Sequence, residues 1–124
     1  MVTNIVRITL MVRDQKAARE FWVNKLGFQV MVDVEMNDSH WLEVAPPNSP
    51  TRFVLYEKKN IKQRKDNSPS VILSCLHLGD TRKRLTQRGV EMDDIITMPY
   101  GQMCVFYDPD HNAYMLREDQ NDSF

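Results

Sequence analysis

The chain has little beyond its own core to hold it together, and little with which to hold a cofactor. Its two cysteines, Cys75 and Cys104, sit in strand-like apolar runs over 71–76 and 103–106, without CxxC or metal-knuckle spacing. Buried, reduced thiols are the expected reading, with a disulfide as the alternative. Neither sign of charge is in excess, since sixteen basic residues face seventeen acidic ones for a formal charge of -1. That balance argues against nucleic acid and anionic membrane as partners. No apolar run approaches the length of a membrane span, and the opening Met-Val-Thr-Asn-Ile-Val-Arg has no signal-type core, so the cytoplasm is the expected compartment. Also missing are a nucleophile elbow, a phosphate-binding glycine loop, an H-E-x-x-H helix and paired catalytic carboxylates.

What is present suffices for one domain. With 124 residues, 42% of them hydrophobic and 27% charged, the chain can bury a core without a disulfide or a metal.

Along the chain, alternation of Ile8, Leu10 and Val12 with Thr9 and Met11, and the frequency of β-branched residues, predict a first strand over 5–12. Asp14 is placed to cap a helix running to about Leu26, with Ala17, Ala18, Phe21, Trp22, Lys25 and Leu26 at helical spacing and Gly27 as a left-handed exit. A second strand over 28–34 is expected to put Phe28, Val30, Val32 and Val34 on one face. Asn37-Asp38-Ser39 then turns the chain into an antiparallel third strand over 40–44. Prolines between 46 and 50 interrupt the sheet, and a fourth strand covers 52–56. The polar stretch 57–69 reads as an exposed connector.

After it the series begins again: a strand over 70–76, a helix over about 79–88 ended by Gly89, a sixth strand over 90–96, a turn at Pro99-Tyr100-Gly101, a seventh strand over 102–106, a turn at 108–111 and an eighth strand over 112–117. The order β-α-β-β-β thus occurs twice. The fold class is α+β, one domain over 1–124 made of two modules, 1–57 and 69–118, joined by the connector 58–68. Residues 118–124 are expected to fray.

Several of these segments together resemble a known family. They are Val12-Arg13-Asp14, Phe21-Trp22, Leu26-Gly27-Phe28, Arg88-Gly89-Val90, Pro99-Tyr100-Gly101 and Phe106-Tyr107-Asp108-Pro109-Asp110-His111-Asn112. In this order they resemble the glyoxalase, bleomycin-resistance and extradiol-dioxygenase (vicinal oxygen chelate) superfamily. The resemblance implies two βαβββ modules whose mixed sheet curls around a cleft, commonly completed in a homodimer.

It also implies a metal in most of the enzymes, and the ligand positions carry over to Arg7, Val54, Ser70 and Met115. A fixed cation, a side chain without a donor, a lone hydroxyl and a thioether are unsuited to a divalent ion. The three histidines, His40, His77 and His111, show no pattern that would bring them to one centre. No metal and no cofactor are expected.

Candidate ligand-binding residues follow from the same placement. Arg7 would clamp a carboxylate or phosphate through its guanidinium, or else pair internally with an acid such as Glu43. Arg52 is a second cation. Trp41, Tyr56 and Tyr100 offer flat surfaces for a planar ligand, and Met103 and Met115 adaptable apolar ones. Trp22 reads as core. His111 and the aspartates Asp14, Asp108 and Asp110 read as turn and cap residues. Catalytic residues stay unassigned.

The leading functional reading is a metal-independent binder of a small organic molecule, aromatic and neutral or anionic. One alternative is a metal-independent lyase or isomerase using an ionised tyrosine or Glu43 for proton transfer. The other is a structural or regulatory protein-interaction module. A homodimer is expected, because each module leaves one apolar sheet face to cover.

Overall fold

A computed structural model of the chain describes residues 1–60, 68–99 and 101–118. The chain divides into two compact units, 1–62 and 63–124. The connector residues 61–67 and Tyr100 lie outside the described residues.

In the first unit, β1 (Arg7–Val12) runs into α1 (Gln15–Arg19), then β2 (Gln29–Met36), β3 (Ser39–Ala45) and β4 (Arg52–Glu57). The sheet order is β1-β4-β3-β2, with β1 parallel to β4 and the other pairs antiparallel. Asp14 caps α1 as expected: its Oδ1 accepts the amides of Lys16 at 2.9 Å and Ala17 at 3.2 Å. The helix does not stay α-helical to Leu26. Glu20–Lys25 is π-helical, with the Leu26 amide reaching back to the Phe21 carbonyl at 3.0 Å. The wider turn lets the consecutive Phe21 and Trp22 both point inward, at 4% and 0% exposure. Gly27 then exits at φ +80°, where a side chain would be strained.

The second strand departs from strict alternation. Val30 pairs with Val44 but Val32 pairs with Glu43, so a bulge at Met31 inserts one residue. Val44 and Glu43 are neighbours on β3 and point to opposite faces. Phe28, Val30, Val32 and Val34 therefore do not share a face: Val32 and Val34 turn away from the helix, and Asp33 turns toward it. There Asp33 binds Arg19 and His40, each at 2.7 Å, tying the hairpin to the helix.

The second unit repeats the plan. Its elements are β5 (Ile72–Cys75), α2 (Leu78–Gln87), β6 (Glu91–Met92), β7 (Ile96–Met98), β8 (Gly101–Tyr107) and β9 (Ala113–Glu118). The order is β5-β9-β8-β6, again with the first and last strands parallel, and β7 also pairs with β8. The expected sixth strand is thus two short ones. The Asp93 carbonyl is turned out of the ladder to accept from Arg82 Nε at 2.9 Å and Cys104 Sγ at 3.0 Å, which breaks the strand. Gly89 exits α2 at φ +86°, and His111 sits in the turn at φ +63°. The fold is α+β, as the repeat predicts.

Two carboxylates placed in polar tails by sequence have structural work. Glu57 ends β4 and accepts the Gln15 amide at 3.0 Å, and Glu118 ends β9 and accepts the Leu78 amide at 3.1 Å. Each last strand thereby caps the helix of its own module. Glu57 is not connector, and Glu118 is not frayed.

Candidate functional site

Alternation assigns the two faces of the first sheet. Phe53 meets Trp22 and Phe28 at ring-centroid distances of 5.1 and 5.8 Å, so Phe53, Leu55 and Val44 face the helix. Arg52, Val54 and Tyr56 therefore face away from it, as do their partners Arg7, Thr9 and Met11 on β1 and Trp41, Glu43 and Val32 on β3 and β2. On this helix-free face Met11, Val34, Trp41 and Tyr56 are all exposed.

At its centre is one carboxylate with three donors. Glu43 Oε1 accepts from Arg7 Nε at 2.7 Å and from Arg52 Nη1 at 3.1 Å, and Oε2 accepts from Trp41 Nε1 at 2.8 Å. Four candidates named from sequence, Arg7, Trp41, Glu43 and Arg52, thus form one cluster. The internal pairing of Arg7 with Glu43 is the arrangement found, yet the Arg7 side chain keeps 39% of its surface exposed and Arg52 28%, against 8% for Glu43.

Burial pushes the Glu43 carboxyl up, but the bonds from Trp41 and Arg52 and the charge of Arg7 outweigh it and hold it below its ordinary 4.5. Glu43 is thus an ionised tether. A carboxylate stabilised in its ionised form by two guanidiniums and an indole is a weakened proton acceptor. Its stabilising effect is present above the ordinary glutamate value and is lost as pH falls through the lowered one. We expect Glu43→Gln to cost about 1–2 kcal/mol at neutral pH, since it leaves two arginines without a counter-charge. Urea unfolding at descending pH should show the difference from the parent shrinking below 4.5. A pH-independent difference would contradict the ionised tether.

The remaining candidates are distributed differently. Tyr56 lies on the same face opposite Met11, at the far end of β4 from Arg52. Met103 and Met115 belong to the second unit, where Met115 pairs with Ile72 and Val105 and Met103 with Arg117, on its corresponding face. Tyr107 was not singled out by sequence; its hydroxyl donates to Asp93 at 2.8 Å, a bond that raises its pKa above 10.0 and keeps it protonated. Sequence also passed over Met11 and Val34, whose exposure follows from register rather than residue type.

The metal positions implied by the resemblance can be tested on this geometry. Thr9 pairs with Val54 as Ile72 pairs with Met115, so Arg7 and Ser70 each stand two residues before the partner of the other position in their module. The correspondence is regular, but the donor set does not fit a metal. Val54 is 2% exposed and donorless, Arg7 is a cation, and the nearby Glu43 is already bound to two arginines. Among the described residues no three His, Cys, Asp or Glu side chains gather where they could hold an ion.

Comparison with known proteins agrees with this architecture. YetH, an uncharacterized protein of Bacillus subtilis (strain 168), is 32% identical over 120 residues, covering 95% of this chain and all of its own. TnmS3, an antibiotic binding protein from Streptomyces sp. CB03234, has a solved structure with a TM-score of 0.82 and 28% identity, over 96% of this chain and 98% of that one. A structure from Sphaerobacter thermophilus DSM 20745 has a TM-score of 0.81 and 30% identity, over 95% of this chain and 98% of that one. Residues 4–116 match the family model itself, and the chain is a member of the Glyoxalase/Bleomycin resistance protein/Dioxygenase superfamily.

Proposed function

We propose that this protein binds and sequesters a small organic molecule, aromatic and neutral or anionic, without a protein-held metal. The observation that carries the reading is the helix-free face of the first module, where an exposed indole and two partly exposed guanidiniums are fixed around one buried carboxylate. The antibiotic-binding role of TnmS3 supports it. Proton-transfer chemistry has less support, since Glu43 is held ionised by three donors and Tyr107 is held protonated.

The test is a thermal-shift screen of aromatic acids, phenols and neutral aromatics with chelator present, followed by calorimetry of the hits. We expect saturable binding that Arg7→Ala weakens about tenfold for anionic hits, the loss of one charge-assisted contact. No saturable binder across the panel would defeat the reading, and chelator-sensitive binding or turnover would defeat its metal-free premise.

We further propose a homodimer in the cytoplasm. Met11, Val34 and Tyr56 in one unit and Ile72 and Ile96 in the other leave apolar area on the helix-free faces that a second copy would cover, beside the open Trp41. Cys75, half-buried, and Cys104, buried, are not joined in a disulfide, which suits a reducing compartment. Light scattering at tens of micromolar should give twice 14.6 kDa, and a one-chain particle would contradict the dimer.

A further inference from the structure

Parallel pairing puts Arg7 directly opposite Arg52, so two guanidiniums leave the same face of adjacent strands. Among the described residues one carboxylate answers them. Glu43 Oε1 serves both, and its Oε2 is committed to Trp41, so the cluster carries one uncompensated positive charge. A guanidinium has five N–H donors. Arg7 uses Nε on Glu43 and Nη1 on the Val6 carbonyl at 3.0 Å, and Arg52 uses Nη1 on Glu43. Arg7 Nη2 and the Nε and Nη2 groups of Arg52 have no partner among the described residues, and both side chains are partly open to solvent.

We infer that Arg7 and Arg52 form an anchor for the carboxylate of a planar aromatic acid, with Glu43 positioning both guanidiniums and Trp41 receiving the ring. This rests on the small-molecule-binding reading and specifies its ligand class. The planar fork of an arginine matches a carboxylate through parallel hydrogen bonds, and a single negative charge matches the single surplus positive one. Glu43, almost fully buried, fixes the guanidiniums before the ligand arrives, which limits the ordering cost of binding. The same carboxylate holds the Trp41 indole by its Nε1, while the residue stays 37% exposed and can present a ring face. A ligand cation would meet the surplus charge unfavourably.

The full chain can be titrated with three probes of one shape: 2-naphthoate, 2-naphthamide and 2-naphthylmethylammonium. We expect naphthoate to bind at least about tenfold more tightly than the amide, and the ammonium to bind most weakly. Added salt should weaken the carboxylate and leave the amide nearly unchanged. Arg52→Gln and Arg7→Gln should each remove most of the carboxylate preference while changing amide affinity by less than about threefold. Arg52→Lys should restore it only in part, because an ammonium lacks the fork. A second readout is the pair of tryptophan indole N–H resonances, assigned with Trp41→Phe: naphthoate should move that of Trp41 and leave that of buried Trp22 in place. Cooperative unfolding of each variant shows that it is folded.

Equal affinity for naphthoate and naphthamide would overturn the anchor and leave the general binding reading standing. Retention of the carboxylate preference in both glutamine variants would also overturn it, as would an unmoved Trp41 resonance at saturation. If none of the three probes binds, the anchor fails, and the broad panel decides separately whether the binding reading fails with it.

Discussion

Trp22→Ala is expected to lower the free energy of unfolding by about 3–5 kcal/mol, the range for truncating a fully buried aromatic side chain. Trp22 is the hub of the first module. It is 0% exposed and lies 5.1 Å, centroid to centroid, from each of Phe21, Phe28 and Phe53, which come from the π-helical turn, the start of the second strand region and β4. Removing it deletes the contacts that fix the helix to the sheet and leaves a cavity among three rings. A domain of ordinary stability has only about 5–15 kcal/mol to lose, so the variant should unfold at far lower urea. Trp41→Ala is the control, expected to cost less than about 1 kcal/mol because the residue is already partly exposed. Equal effects of the two substitutions would contradict the assignment of one tryptophan to the core and the other to the exposed helix-free face.

Asp108→Ala should be the most damaging change of a polar residue, at about 2–4 kcal/mol, because it strands several donors at once. The Asp108 carboxylate is 7% exposed and accepts the amides of Asp110 at 3.0 Å and Asn112 at 2.9 Å, Asn112 Nδ2 at 3.1 Å and the Tyr114 hydroxyl at 2.8 Å. It therefore sets the turn that carries β8 into β9, and with it the position of Met115. Asp108→Asn keeps one acceptor oxygen and should lose about half as much. Urea unfolding measures both costs, and amide exchange at Asp110 and Asn112 should accelerate in the alanine variant. Unchanged protection at those amides would show that the turn is held by something else.

Residues that act locally and residues that act at a distance differ in how far the amino-acid sequence reveals them. Asp14, Gly27, Gly89, His111 and Asp108 are legible because each acts through its own turn, where residue type and local spacing determine the conformation. The capping of α1 by Glu57 and of α2 by Glu118 is not, since donor and acceptor are 42 and 40 residues apart. The bulge at Met31 is invisible to alternation because one inserted residue reverses the facing of everything beyond it. The split of the sixth strand depends on the Asp93 carbonyl meeting Arg82 and Cys104, again through tertiary contacts.

The candidate site divides along the same line. The residues of its cluster can be named from type and placement, and so can the misfit of Arg7 and Val54 as metal ligands. Whether Arg7 is paired cannot be decided without the parallel register that sets it opposite Arg52 and the antiparallel one that sets Glu43 opposite Val54. That one carboxylate serves both arginines and the indole is a property of the sheet.

The functional proposal turns on whether the helix-free face of the first module binds an organic ligand through its own side chains. The decisive measurement is a two-dimensional NMR titration of the full chain, in chelator, with the best hit of the aromatic panel. Saturable shifts are expected at the indole of Trp41 and the backbone amides of Arg7, Glu43 and Arg52, with Trp22 unmoved and the affinity independent of chelator. Saturable shifts confined to other residues, or binding that disappears when metal is removed, would contradict it.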